Sequence, residues 1–339
     1  WVSEQVKQHP KDCLGILTAL LKFAGTRYPA LIHRSVEEAL SIFLSVRSME
    51  ECRFVVDQLI TEFPYRAELL YGRFFFLTGP ELGGLPAEYG EQVYALNNEP
   101  IMARNLFFTY RRLGYLEKAV KMSEHLENSD DIKDAVEGVR ADWKLLNEGY
   151  SPQQSRPVPS YNPQRQRAFY LLHNSLPYAS GGYATRTHGL LNGLVGHGWD
   201  MFGLTRLGFP MEQGTDVPTG WSENTVDQVN YLHIQDENAI YRKVALDRYL
   251  DVYREHLQKK TEELAPAIIH ASSNFMNGLV GNAVAQAISA PSIYEVRGFW
   301  QLTRISRDPD YRYKDIYDLH EKLEIQAANE ATHVITITE

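Results

Sequence analysis

The sequence predicts two architectures in one chain: an all-helical first part, and after it an α/β domain on a doubly wound parallel sheet. Three observations carry this. Apolar residues over 1–148 recur at helical spacing. From Ala168 onward, short apolar runs alternate with longer segments of helical spacing, the pattern of strands and crossover helices. Between the two lies 149–167, GYSPQQSRPVPSYNPQRQR, whose four prolines and polar residues favour an extended tether.

Composition narrows the function classes. The 339 residues are ample for two domains, and 44% hydrophobic with 23% charged residues is ordinary for globular protein. A formal charge of −9 disfavours a nucleic-acid partner held by bulk electrostatics. Cys13 and Cys52 are too few for a disulfide framework or a zinc site, and fit a reducing cytoplasm. No apolar run reaches the ~18 residues a spanning helix needs, and no leader pattern opens the chain. The start at Trp1 and the stop directly after a strand-like run are those expected of a piece of a longer protein.

In the helical part, Leu14, Leu17, Leu20 and Leu21 make one apolar stripe, and Phe54, Val55, Leu59 and Ile60 another. Pro64 and Pro100 fall where helices begin or end. In Tyr110–Asn128, Leu113-Gly114 reads as a turn between two helices, with Ala119 where such a pair approaches closely. This segment resembles the second half of a tetratricopeptide repeat, although Ser123 and Leu126 replace the usual aromatic and alanine. Ala67–Asn97 reads as a divergent preceding unit. Stacked helical pairs leave a surface for a protein partner, or serve only as support for the neighbouring domain.

The α/β part opens with strand Ala168–Leu172, then a loop ending in Ser180-Gly181-Gly182. A helix follows through Leu190, Leu191, Leu194 and Val195, stopped by Gly198, and strand Met201–Leu204 comes next. Further strands are read at Val229–Ile234, Ala267–Ala271, Ser292–Val296 and His333–Thr338, with helices at about 240–264, 275–288 and 316–330. Ligands of such sheets sit beyond the carboxyl ends of strands. That directs attention to Asn174–Tyr183, Ser272–Asn277 and Arg297–Trp300.

Ser-Gly-Gly lacks the spacing of the dinucleotide fingerprint, which counts against a dehydrogenase. A glycine pair before a helix lets backbone N–H groups approach an anion or a sugar hydroxyl; a tight turn needing positive φ is the simpler reading. His270 is either a site residue or a hydrogen-bonded core histidine. Glu295 and Arg297, two apart on a strand, share a face. They can serve a sugar hydroxyl and a phosphate, or form a structural ion pair. The segment Gln301–Asp315 mixes Arg304, Arg307, Arg312 and Lys314 with Tyr311 and Tyr313. It either grips an anionic or glycan acceptor or is a solvated loop.

Four segments together resemble one family. GGYATRTHGLLNGLVGHGWDMFGLT, AIIHASSNFMNGLVGNAVAQ, SIYEVRGFW and EIQAANEATHVITITE occur in the order found in family-4-type glycosyltransferases of the GT-B fold. The resemblance covers 168–339 and implies the Rossmann-like, acceptor-side half of that fold, its second domain lying outside this sequence. It implies transfer of a sugar from a nucleotide-sugar donor to a glycan or lipid-linked acceptor, usually with retention and without a bound metal or other cofactor. It places His270, Glu295 and Arg297 as catalytic candidates. Gly181, Gly182, Arg186, Ser272, Asn274 and Asn277 become substrate-binding candidates. Ser272 departs from the second histidine many relatives have there. Without the donor-side half this stretch is expected to be inactive. The enzyme is expected in the cytoplasm, with attachment to a membrane surface as the other option. The competing reading, from another class, is a non-catalytic interaction protein with helical repeats and a ligand-binding α/β module.

Overall fold

The structure is a computed structural model that describes residues 2–24, 39, 42, 49–63, 91, 94, 95, 100–126, 130–152, 158 and 160–337. The chain divides into two compact units, Trp1–Glu127 and Asn128–Glu339.

In the first unit the described helices are α1 (Val2–Gln8), α2 (Cys13–Ala24), α3 (Met49–Glu62), α4 (Pro100–Leu113) and α5 (Leu116–Ser123). α2 and α3 pack through Leu17 and Leu21 on one side and Val55 and Leu59 on the other, whereas Phe54 of the expected stripe is exposed. α4 and α5 form a helical pair. Gly114 turns the chain between them at φ +87°, a value that favours glycine, and its N–H donates to the Tyr110 carbonyl at 2.8 Å. Ala119 is wholly buried in this pair. The preceding unit read at Ala67–Asn97 lies almost wholly outside the described residues.

The second unit opens with α6 (Asp130–Glu148), read from sequence as the end of the helical part. It packs on two helices of the α/β layer, α8 (Leu246–Leu264) and α11 (Asp315–Glu330). Lys322 Nζ donates to the carbonyls of Leu146 and Asn147 at 2.8 and 2.6 Å. Gln326 clamps the backbone of Tyr150 from both sides, accepting from its N–H at 2.8 Å and donating to its carbonyl at 2.6 Å. Periodicity marks α6 as a helix but cannot say which layer receives its apolar face.

The sheet has seven strands: β1 (Gln164–Leu172), β2 (Asp200–Thr205), β3 (Gly220–Val226), β4 (Val229–Gln235), β5 (Pro266–Ser272), β6 (Ser292–Val296) and β7 (His333–Thr336). Their order is β3-β4-β2-β1-β5-β6-β7, parallel except for the β3–β4 hairpin. β1 begins four residues before the expected Ala168, inside the segment read as a tether, and Gln164 pairs with Pro266. The chain runs from β1 outward to β4 and then returns to β5 on the other side of β1. With right-handed crossovers, this reversal puts helices on opposite faces. On one face α7 (Gly182–Gly196) covers a core of Ala168, Tyr170, Leu172, Leu191, Met201 and Tyr231. On the other, α9 (Phe275–Ala287) lies close enough that a Cβ on Gly281 would meet Leu171, Ala271 and Ile269 at 3.0–3.4 Å. Burial on both faces is why β1 reads as an unbroken apolar run. Between β6 and α11 sits the short α10 (Trp300–Ile305).

Candidate functional site

Two groups of side chains meet at the carboxyl edge of the sheet. The first lies under the opening turn of α7. Register sets Tyr170 of β1 beside His270 of β5, and Ser272 beside Glu295 of β6. Glu295 and Arg297 share a face, as their spacing requires, and both are buried, at 4% and 6% exposure. Arg297 Nε donates to Glu295 Oε1 at 2.9 Å. Its other nitrogens reach the Tyr170 hydroxyl and Thr187 Oγ1 at 2.6 Å each, and the carbonyl of Tyr183 at 3.4 Å. The Tyr170 hydroxyl donates to Glu295 Oε2, and His270 Nε2 lies 3.2 Å from that same oxygen without hydrogen-bond alignment. Burial works against the Glu295 charge, but His270, Tyr170 and Arg297 outweigh it and hold the carboxyl down at about 2. Burial pushes the Tyr170 phenol up.

This network ties the end of β6 to the first turn of α7. Arg186, on that turn and half exposed, approaches Glu295 Oε1 at 3.8 Å. Gly181 and Gly182 are exposed, have negative φ, and have no atom within 4 Å of where a Cβ would stand. No positive-φ turn therefore requires these glycines. They leave a helix N-terminus uncapped by any side chain, with free N–H groups facing out. Ser272 and Asn277 are buried in the framework. Ser272 Oγ donates to the Leu171 carbonyl at 3.0 Å, and Asn277 Nδ2 to the Ser272 carbonyl at 3.1 Å.

The second group lines a cavity of about 780 Å³. Its walls come directly after the strands: His173 after β1, Arg206 after β2, Glu237 after β4, Asn274 and Phe275 after β5, Trp300 and Gln301 after β6. This is where a doubly wound sheet places its ligand. Of the sequence candidates only Asn274 lines it; the other eight do not. Arg304 and Tyr311 do, and Tyr311 and Lys314 are buried, so Gln301–Asp315 is more than a solvated loop. The sequence reading missed Arg206, a buried cation held by Glu212 at 2.5 Å, although a charged residue directly after a strand was a usable signal. It also missed Glu324, which accepts from the Phe275 N–H at 3.0 Å and from the Tyr294 hydroxyl. Burial raises that carboxyl to about 7, against those two bonds. His173, between Arg206 and the Trp300 edge, is held neutral: burial, then the Arg206 charge, lowers it to about 3. Among the described residues no three His, Cys, Asp or Glu side chains are grouped to hold a metal ion, and no helix is long and apolar enough to cross a membrane.

No curated protein matches the chain. Among solved structures, an O-GlcNAc transferase mutant from Thermobaculum terrenum aligns with 82% of this chain and 50% of its own, at 14% identity and a TM-score of 0.24. The chain thus spans about half the length of that protein, and a superposition at this score carries no argument. The family comparison is more specific and takes in both side-chain groups except the end of β1: residues 181–339 match the model of the glycosyl transferase 4-like domain.

Proposed function

We propose that the α/β unit is the acceptor-side half of a sugar-transfer enzyme. It moves a sugar from a nucleotide-sugar donor to a glycan or lipid-linked acceptor, with retention at the anomeric carbon and without a resident metal. The observation that carries this is the match of 181–339 to a glycosyl transferase 4-like domain, whose matched residues include most of the cavity wall. The acceptor enters the cavity. The open turn at Gly181 and Gly182, with Arg186 beside it, meets donor phosphate or sugar hydroxyls through N–H groups and positive charge. Arg297 and Glu295 are positioning residues: they fix that turn on β6. His270 stands beside Glu295, its Nε2 at 3.2 Å.

The test is a transfer assay on the full natural protein, with labelled nucleotide sugars and extracted glycans and lipids as acceptors, with and without chelator. Label should move in both conditions, and NMR of the product should show the donor's anomeric configuration. Arg186→Ala, half exposed and free to fold, should raise the donor KM by about tenfold, the loss of one charge-assisted contact. Donor turnover to no acceptor at all would favour the interaction-protein reading instead.

A further inference from the structure

Four residues of the cavity wall carry polar atoms that are left unsatisfied. Arg206 Nε, Asn274 Oδ1, Gln301 Oε1 and His173 Nδ1 are all out of solvent and have no hydrogen-bond partner among the described residues. Arg206, Asn274 and Gln301 are each more than nine-tenths buried, at 6%, 5% and 4% exposure. An orphaned buried donor or acceptor costs about 1–3 kcal/mol. Four such atoms belong to residues of one cavity wall, where a bound polar ligand would answer the side chains that carry them. They mix donors with acceptors, and each carboxamide offers one of each whichever way it is turned. A hydroxyl both donates and accepts, so a polyhydroxylated ring answers this set. Trp300, Tyr241 and Tyr311 also line it, with Arg304 over the Tyr311 ring at 4.6 Å and Arg242 over the Tyr241 ring at 5.4 Å.

The charge is one-sided as well. Arg242, Lys243 and Arg304 stand on the rim, exposed, and none has an ion-pair partner among the described residues. The acids nearby are engaged: Glu212 with Arg206, Glu324 with Phe275 and Tyr294, and Glu237 with the Thr219 hydroxyl at 3.1 Å. Three cations thus line the cavity with no acid ion-paired to them among the described residues, although Lys243 also lines a second pocket with Asp134 and Glu137.

We infer that the cavity takes an anionic saccharide. Its hydroxyls meet Arg206, Asn274 and Gln301, and its acid group, a carboxylate or a phosphate, meets Arg304, Arg242 and Lys243. This rests on the acceptor-side reading above and narrows it, because a neutral sugar would leave the three cations unanswered.

Isothermal titration of the 339-residue chain with glucuronate, glucose 1-phosphate, glucose and inorganic phosphate tests it. At least one of the two anionic sugars should bind about tenfold more tightly than glucose and than inorganic phosphate. Whichever of the two is stronger assigns the acid group. Arg304→Ala combined with Arg242→Ala, both exposed positions, should remove that preference. Gln301→Ala should weaken all sugars alike. Equal binding of glucose, equal binding of inorganic phosphate, or no binding of any probe below about 10 mM overturns the inference. Sugar transfer found together with a preference for glucose would sink the anionic acceptor and leave the transferase reading intact. An anionic-sugar preference without transfer would do the reverse.

Discussion

The cluster beneath α7 and the cavity across the strand ends occupy the same edge of the same sheet, yet they are built in opposite ways. In the cluster, Glu295, Arg297, Tyr170 and Thr187 use one another's hydrogen-bonding capacity, with Glu295 and Arg297 almost closed to solvent and His270 Nε2 alone among these side chains left without a bond. In the cavity, Arg206, Asn274, Gln301 and His173 hold polar atoms with nothing to bond. The lesson is that charge and placement alone do not mark a binding residue. A charged group whose valences are all filled by the fold holds the fold, whereas a buried group with one left open on a cavity wall can still be answered by a ligand.

The largest effect that tests this contrast is on the closed side. Arg297→Ala leaves Glu295 buried with its charge and without its main partner. Breaking a buried pair in this way costs about 3–5 kcal/mol. Chemical denaturation at neutral pH should show that loss, and a Glu295→Ala, Arg297→Ala double variant should recover part of it. A cost of under about 1 kcal/mol would mean that Arg297 is not held by the fold, and the two regions would no longer differ in kind. Loss of transfer by Arg297→Ala alone is therefore no evidence of contact with phosphate.

Glu324 stands on the border, lining the cavity but capping α9, and its titration ranks next. Its carboxyl is raised from 4.5 to about 7 in the folded protein. The neutral form is therefore favoured by folding. The stability it contributes is complete below pH 4.5 and is lost as pH rises through 7, about 3 kcal/mol in all. Glu324→Gln removes that slope, so the variant should gain on the parent by roughly this amount between pH 4 and pH 8. Parallel stability profiles for the two would show that folding leaves the Glu324 carboxyl unshifted. Glu295 slopes the other way. Its carboxyl is depressed to about 2, so its stabilisation is present above 4.5 and fades as pH falls towards 2.

Much of the fold could be read in the residues, and the reasons it could are physical. β1, β4 and β5 carry enough apolar side chains to announce themselves, because parallel strands are covered on both faces. β3 was missed. Ser222, Glu223 and Asn224 have weak strand preference, and the two-residue turn after it uses Asp227 at φ +51° in place of glycine. The expected helix start near Ile240 fails at Arg242, whose φ is +68°, and α8 begins at Leu246. At the site, the Glu295–Arg297 pairing follows from strand period alone. The cavity does not. Arg206, in the loop after β2, and Gln301, on α10, are far apart in sequence, and nothing local records that both line one empty space.

Gln301 carries the contrast into the open region. If its Oε1 is orphaned, replacing the side chain by methionine, similar in length and without the carboxamide, removes an unpaid desolvation. Stability of Gln301→Met should be unchanged or higher by about 1 kcal/mol, even though the residue is as buried as Arg297. A loss of more than about 2 kcal/mol, measured by denaturant titration, would show that its amide already has a partner and would close the cavity to the argument made for it.

The smallest effect is expected at Gly181. Its φ of −67° and ψ of 168° suit any residue, and open space surrounds the point where a Cβ would stand. Glycine as N-cap exceeds alanine by roughly 0.5–1 kcal/mol, while alanine restricts the unfolded chain by a similar amount. Gly181→Ala should therefore fold with a Tm within about 2 °C of the parent. A methyl group there would nevertheless add bulk beside the uncapped helix start that the proposed function gives to an anion. Unchanged stability with weakened donor binding, read as a raised KM in the transfer assay, assigns the open turn to ligand. Unchanged stability with unchanged KM leaves it as an exposed helix end and moves the whole burden of recognition to the cavity.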